Sequence, residues 1–169
     1  MWDSLFIYNI LFLMINNLQL YLTTENIYLA TNWGVIPFWL LLILAPNNSL
    51  TKLLVNSIIA PLILGSAYVF IAYKLFLDGL IFESFNLYFG LANLYTVYSN
   101  EDFLLIFWLH FLSISLFVGS WIARDSLRYN IPKFLASICL IMTYFTGPVG
   151  IILYWLIRTF FAKKINLDE

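Results

Sequence analysis

Long apolar runs separated by short polar breaks set the plan of this chain. Between Phe103 and Ala123 no residue carries a formal charge, and at ~1.5 Å rise per residue a helix of that length crosses a ~30 Å hydrocarbon layer. Asp102 to Asp125 therefore reads as a membrane span around which the other segments are arranged. A second run extends from Ile27 to Leu44, where Pro37 predicts a kink and Ala45-Pro46-Asn47-Asn48 a stop. Thr23-Thr24-Glu25-Asn26 can cap its start. The third run covers about Leu50 to Phe76, with Ser57, Pro61, Gly65 and Tyr68 on one face, open to close approach by another backbone. The last extends from about Phe134 to Ile157 and carries Thr143, Thr146, Gly147, Pro148 and Gly150 near its middle. Four spans with short connections predict an all-α, polytopic membrane helical bundle.

Two segments do not fit the spanning pattern. Ser4 to Leu22 is apolar but holds Asn9, Asn16, Asn17 and Gln19, which predicts a helix that is either a peripheral span or lies in the interface. It has no basic stretch before it and no small-x-small cleavage pattern, so it does not read as a removed signal peptide. Asp78 to Asn100 is broken by Gly79, Gly90 and asparagines, yet carries Phe85, Tyr88, Phe89, Tyr95 and Tyr98. That mixture suits an interfacial helix or a lid over the bundle. Ser99 and Asp102 then resemble a capping box for the central span. The expected organisation is an N-terminal apolar helix over 1–23, a four-span bundle over 24–164 with the interfacial segment at 78–100, and a short tail at 165–169.

Composition agrees with a membrane location: 63% of residues are hydrophobic, 10% are charged, and mean hydropathy is +0.90, far from soluble usage. A net charge of -1 offers nothing to nucleic acid, and a single cysteine, Cys139, excludes an internal disulfide. With four spans, Lys52, Arg124, Arg128 and Lys133 fall on one side and Lys74, Arg158, Lys163 and Lys164 on the other. The positive-inside rule ties. The short loops carry only Asp125 as an acid, which tilts them toward the cytoplasm.

The chain's one histidine, His110, sits inside the central span, roughly 10 Å below one face. Steps of three and four residues from it meet Ser113, Phe117, Ser120, Trp121 and Arg124, a side expected to face protein. Asn32 is roughly 8 Å deep, and Tyr68 and Gly150 fall at about the same level, so these positions can converge on His110. Gly147-Pro148-Val149-Gly150 removes side-chain bulk and would form the pocket floor, with 78–100 as its cover. In one reading His110 is a proton donor or acceptor in that pocket. In the other, His110, Asn32 and Tyr68 bond one another or backbone and fix helix packing. One histidine and one cysteine cannot furnish a zinc or non-haem iron site. Buried carboxylates for a proton or cation path are not expected, and neither a phosphate loop nor a hydrolase signature occurs. Acid or base chemistry on an apolar substrate, ligand binding and structural assembly remain.

Three motifs carry a family likeness. T-N-W-G-V-I-P-F-W-L-L-L-I-L-A-P at Thr31 to Pro46, W-L-H-F-L-S-I-S-L-F-V-G-S-W-I-A-R-D-S at Trp108 to Ser126, and G-P-V-G-I-I-L-Y-W-L-I-R at Gly147 to Arg158 resemble the abscisic-acid-deficient-four-like family. Plant members of that family are associated with neoxanthin synthesis. The resemblance implies a four-span protein that binds or isomerises a carotenoid or related isoprenoid without a redox cofactor, since turning an epoxide into an allene needs one acid and one base. It implies His110 as the catalytic residue and Asn32, Gly147, Pro148, Gly150, Tyr154 and Arg158 as substrate contacts, which Tyr68 joins by its depth. The alternative is a non-catalytic assembly subunit with a membrane-protein partner or a second copy. Membrane lipid is the other expected partner, and a bacterial inner membrane the expected location, with a plastid membrane as the alternative. Where the family pattern has aspartate and arginine, this chain has Ser115 and Ser120, as though two opposite charges had been lost together.

Overall fold

The computed structural model describes residues 21–57 and 59–163. The N-terminal helix expected over 4–22 lies outside them except for Tyr21 and Leu22. Helix α1 (Thr24–Gly34) starts where the sequence placed a cap, at Thr23, whose side chain accepts from the Asn26 N–H at 3.2 Å. It is interrupted at Val35 and resumes as α2 (Ile36–Leu44), with Pro37 in the first turn of α2, where a missing N–H is tolerated. The expected kink thus falls two residues ahead of the proline. The buried Thr51 of α3 (Ser49–Leu54) donates its hydroxyl to the Ala45 carbonyl at 2.6 Å and closes the turn at Pro46. A break at Val55–Ser57 separates α3 from α4 (Ile59–Leu77). Pro61 accounts for it, because a proline ring excludes the carbonyl four residues back, here that of Ser57.

The 78–100 segment holds a 3-10 helix (Ile81–Phe89) followed by α5 (Leu91–Tyr98), with no buried residue in the first and Val97 alone in the second. Leu75, Val97 and Phe103 pin it to one end of the bundle. The central helix α6 (Glu101–Arg128) then contributes Phe103, Leu105, Leu109, Leu112, Leu116 and Ile122 to every apolar cluster of the bundle. Its cap is Asn100, which accepts from the N–H groups of Asp102 and Phe103 at 2.9 and 3.3 Å. The expected Ser99 box does not form because Ser99 is the C-cap of α5, with helical φ and ψ, and its hydroxyl is spent on the Tyr95 carbonyl at 2.8 Å.

Among the described residues, three stretches are long and apolar enough to cross a membrane: Thr24–Leu44, Ser49–Leu77 and Glu101–Arg128. The expected fourth span is not one helix. It is split into α7 (Lys133–Thr146) and α8 (Pro148–Ala162), joined through Gly147 alone at φ 60 and ψ -88, a conformation that glycine adopts without a Cβ penalty. A Cβ on Gly150 would run into the Thr143 backbone nitrogen and lie 2.6 Å from its Cα, although residues seven apart on a straight helix are ~10 Å apart. The chain therefore doubles back. Arms of 14 and 15 residues reach about 21 Å, short of a ~30 Å hydrocarbon layer.

Contacts along the hairpin fix where it sits. The Lys133 ammonium donates to the Leu44 carbonyl at 2.6 Å, and Tyr144 meets Trp39 edge-on at 5.4 Å, so α7 runs antiparallel to α2. A Cβ on Gly147 would meet Phe111 at 3.5 Å and the Ser115 hydroxyl at 3.7 Å, halfway along α6. Tyr154 and Arg158 then return to Asp125, near the end of α6. The hairpin enters from the Arg128 end, turns at mid-bundle and leaves on the side where it entered. This overturns the depth assigned to Gly150 on the assumption of a straight span. It also breaks the tie in orientation: Lys52, Arg124, Arg128, Lys133, Arg158 and Lys163 share that end, and Lys74 alone among the described residues lies at the other. By the positive-inside rule, such a concentration of basic residues at one end is what marks the face that is not translocated.

Two measurements check this topology. Single cysteines at Asn130 and Lys163 should react with an impermeant maleimide from the same side of a sealed vesicle, and one at Ser99 from the opposite side, with the buried Cys139 silent; Asn130 and Lys163 on opposite sides would restore the straight span. Gly150→Ala should lower stability in detergent by about 1–3 kcal/mol through overpacking. Gly65→Ala, with open space around it, should stay within about 0.5 kcal/mol.

Candidate functional site

Where the hairpin tip meets α6, a cavity of about 230 Å³ is lined by His110, Phe111 and Ser115 from α6 and by Thr143, Gly147 and Pro148 from the hairpin. Its shape follows from the turn. Gly147 lets α7 reverse within one residue, and the absence of a Cβ brings the tip against Phe111 and Ser115. The Thr143 hydroxyl is committed to the Cys139 carbonyl at 2.8 Å. His110 and the buried Ser115, by contrast, have no hydrogen-bond partner among the described residues. His110 and Ser115 thus border a space whose exposed walls are hydrocarbon.

The wider convergence expected from depth does not occur. Levels match: Thr24 donates to Asp102 at 2.6 Å and Lys74 bridges Asp102 at 2.9 Å, and counting along the helices from there puts Asn32 level with His110 and Tyr68 level with Trp108. Direction does not. Thr31 rather than Asn32 turns inward on α1, Tyr68 is 37% exposed, and neither lines the His110 cavity. His110 is itself exposed, because the buried face of α6 runs through Leu105, Leu109, Leu112 and Leu116 and not through the side that holds Phe117 and Arg124. Depth is a count along an axis, whereas facing depends on rotation about it. The 78–100 segment covers nothing here, since it packs at the far end of α6.

Gly150, Tyr154 and Arg158 share a buried face of α8 and turn to a group that sequence reasoning passed over. Asp125 is buried, contrary to the expectation that no carboxylate would be. Its Oδ2 accepts from the Tyr154 hydroxyl at 2.6 Å and from Arg158 Nε at 2.7 Å. The Arg158 guanidinium also reaches the Tyr129 hydroxyl at 3.3 Å and lies 4.7 and 5.0 Å from the ring centres of Tyr129 and Trp155. Trp121 meets the Tyr154 ring edge-on at 5.4 Å. Asp125 lies just past the uncharged run, behind Arg124, and was counted with the loop. The signal that could have found it is the spacing of Tyr154 and Arg158, one turn apart on one face. All three side chains are satisfied within the chain, and their joint effect is to fasten α8 to α6.

A family model described as ABA DEFICIENT 4-like matches residues 26–154. The chain belongs to this family. It is 27% identical over 138 residues to "Protein ABA DEFICIENT 4, chloroplastic" of Arabidopsis thaliana, covering 79% of this chain and 61% of that protein. The chain thus spans about three fifths of the length of that relative. No solved structure matches. The residues matched to the ABA DEFICIENT 4-like family take in His110, Ser115 and the hairpin tip, and end short of Arg158.

Ser115 and Ser120 prove not to face one another. Ser115 borders the His110 cavity, whereas Ser120 donates to Asn56 Oδ1 at 2.8 Å on the other side of α6. Five residues turn a helix through about 140°, so aspartate and arginine at these positions would occupy separate surroundings. The idea of one lost ion pair does not hold.

Removing a single partner from the Asp125 cluster leaves a charge without its counterpart in a low-dielectric site. Asp125→Ala should therefore lower stability in detergent by about 3–5 kcal/mol. Adding Arg158→Met should restore part of the loss. Equal loss in the single and double variants would mean that the cluster does not act as a pair.

Proposed function

We propose that the chain binds a carotenoid or related isoprenoid that enters the His110 cavity sideways from the bilayer, and isomerises an oxygenated end group there. The observation that carries this reading is a hydrocarbon-walled cavity at mid-bundle bordered by His110 and Ser115, whose polar atoms have no hydrogen-bond partner among the described residues. Family membership supports the substrate class.

His110 acts as acid and then as base. Imidazolium gives its proton to an epoxide oxygen as the C–O bond opens, and the neutral ring then takes a proton from the adjoining polyene carbon. One hydroxyl and one new double bond result, the ring regains its proton, and no electrons leave the substrate. Ser115 donates a hydrogen bond to the same oxygen, and Gly147 and Pro148 form the wall against which the chain of the ligand lies. Of the remaining expected contacts, Tyr154 and Arg158 act by holding α8 in place, with Gly150 allowing the close approach. Asn32 and Tyr68 have no part at this cavity. The chloroplastic relative supports a plastid-type membrane over a bacterial inner membrane as the location.

Purification from a host that makes epoxy-carotenoids should yield pigmented protein and an altered pigment profile by chromatography. His110→Ala should lower conversion by about 10²–10⁴-fold, the range for a lost acid–base group, with unfolding unchanged because the side chain is exposed. Ser115→Ala should reduce conversion less. Colourless protein together with an unchanged pigment profile would end this reading.

A further inference from the structure

Further along α6 toward Arg128, and lined by different residues, a second cavity of about 360 Å³ lies against the break between α3 and α4, bordered by Asn56, Ser57, Pro61, Phe117, Ser120 and Arg124. Two of its donor groups are unspent among the described residues, the Asn56 amide nitrogen and the terminal nitrogens of Arg124. The Ser120 hydroxyl donates to Asn56 Oδ1 at 2.8 Å, which leaves the Asn56 amide nitrogen without an acceptor among the described residues. Arg124 Nε is turned back onto the Ser120 carbonyl at 3.3 Å, and its terminal nitrogens meet no carboxylate among the described residues. No acid lines the cavity, and Lys52 stands one turn ahead of its Val55 edge.

The charge sits at the basic end of the bundle, and the apolar wall runs inward from it. Phe117 is seven residues before Arg124, about 10 Å deeper by helix rise. Pro61 lines the same apolar part. A molecule that suits both parts has an anionic head with several acceptor oxygens and a hydrocarbon chain. We propose that this groove binds one anionic phospholipid, with its phosphate on Arg124 and Asn56 and an acyl chain against Phe117 and Pro61. Guanidinium and amide N–H groups form charge-assisted bonds to phosphate oxygens, and the break at Val55–Ser57, which Pro61 imposes, opens the space for them. The site is separate from the His110 cavity and does not depend on its function.

Native mass spectrometry of the full chain in detergent tests this, with dioleoylphosphatidylglycerol and dioleoylphosphatidylcholine as probes. One phosphatidylglycerol should be retained per chain, about tenfold more strongly than phosphatidylcholine. Arg124→Gln should lower that retention about tenfold, the equivalent of one charge-assisted hydrogen bond. Arg124→Lys should keep most of it, which separates loss of the site from loss of the fold. Lys163→Gln removes a charge from the same end without touching the groove and should leave retention unchanged. Equal retention of the two lipids, no effect of Arg124→Gln, or an equal effect of Lys163→Gln would overturn the proposal. So would displacement of the lipid by millimolar inorganic phosphate, since the site would then take a free anion.

Discussion

A buried carboxylate on one helix, shared by a phenol and a guanidinium on another, is the interaction on which the arrangement rests. Asp125 accepts from Tyr154 and Arg158 at 2.6 and 2.7 Å, where little water competes. An ion pair in such surroundings adds little compared with well-packed hydrocarbon, but is expensive to break by halves. Its main effect is on position. Because Arg158 has its best partner at Asp125, α8 must return to the end of α6 from which α7 departed, and a straight crossing would carry the guanidinium away from that partner.

That return defines the cavity. With both ends of the hairpin held near Arg128, its turn can reach only about halfway along α6, and Gly147 lands against Phe111 and Ser115. Beyond the turn no hairpin arm covers the outer face of α6, so His110 stays uncovered at the lip of the space. Gly150 makes this possible by admitting the Thr143 backbone where any side chain would clash. The cavity is the product of two glycines and an ion pair, none of which touches His110.

Much of the plan was legible in the sequence. The uncharged run of α6, the cap at Thr23, the interruption near Pro37 and the non-spanning character of 78–100 all follow from local rules on burial, capping and backbone freedom, and the structure obeys them. Gly147-Pro148 was visible as a place of low bulk but not as a reversal, since a glycine–proline pair in an apolar run permits a kink as readily as a turn. Which one occurs is decided by Asp125 and Arg158, 33 residues apart, and no local pattern records such a partnership. Placement of the site failed for a related reason. Depth follows from counting residues, and Asn32 and Tyr68 do share a level with the Trp108–His110 turn. Their rotation about the helix axis is set by tertiary packing, which turned Thr31 and Leu64 inward in their stead.

The half-length hairpin also makes the molecule lopsided. Among the described residues, three rods of helix would pass through one leaflet and five through the other, where α7 and α8 are added. Lipids around this part of the chain would meet perimeters of unequal size, and a bilayer that holds many copies would either bend or place differently shaped lipids in its two sheets to stay flat.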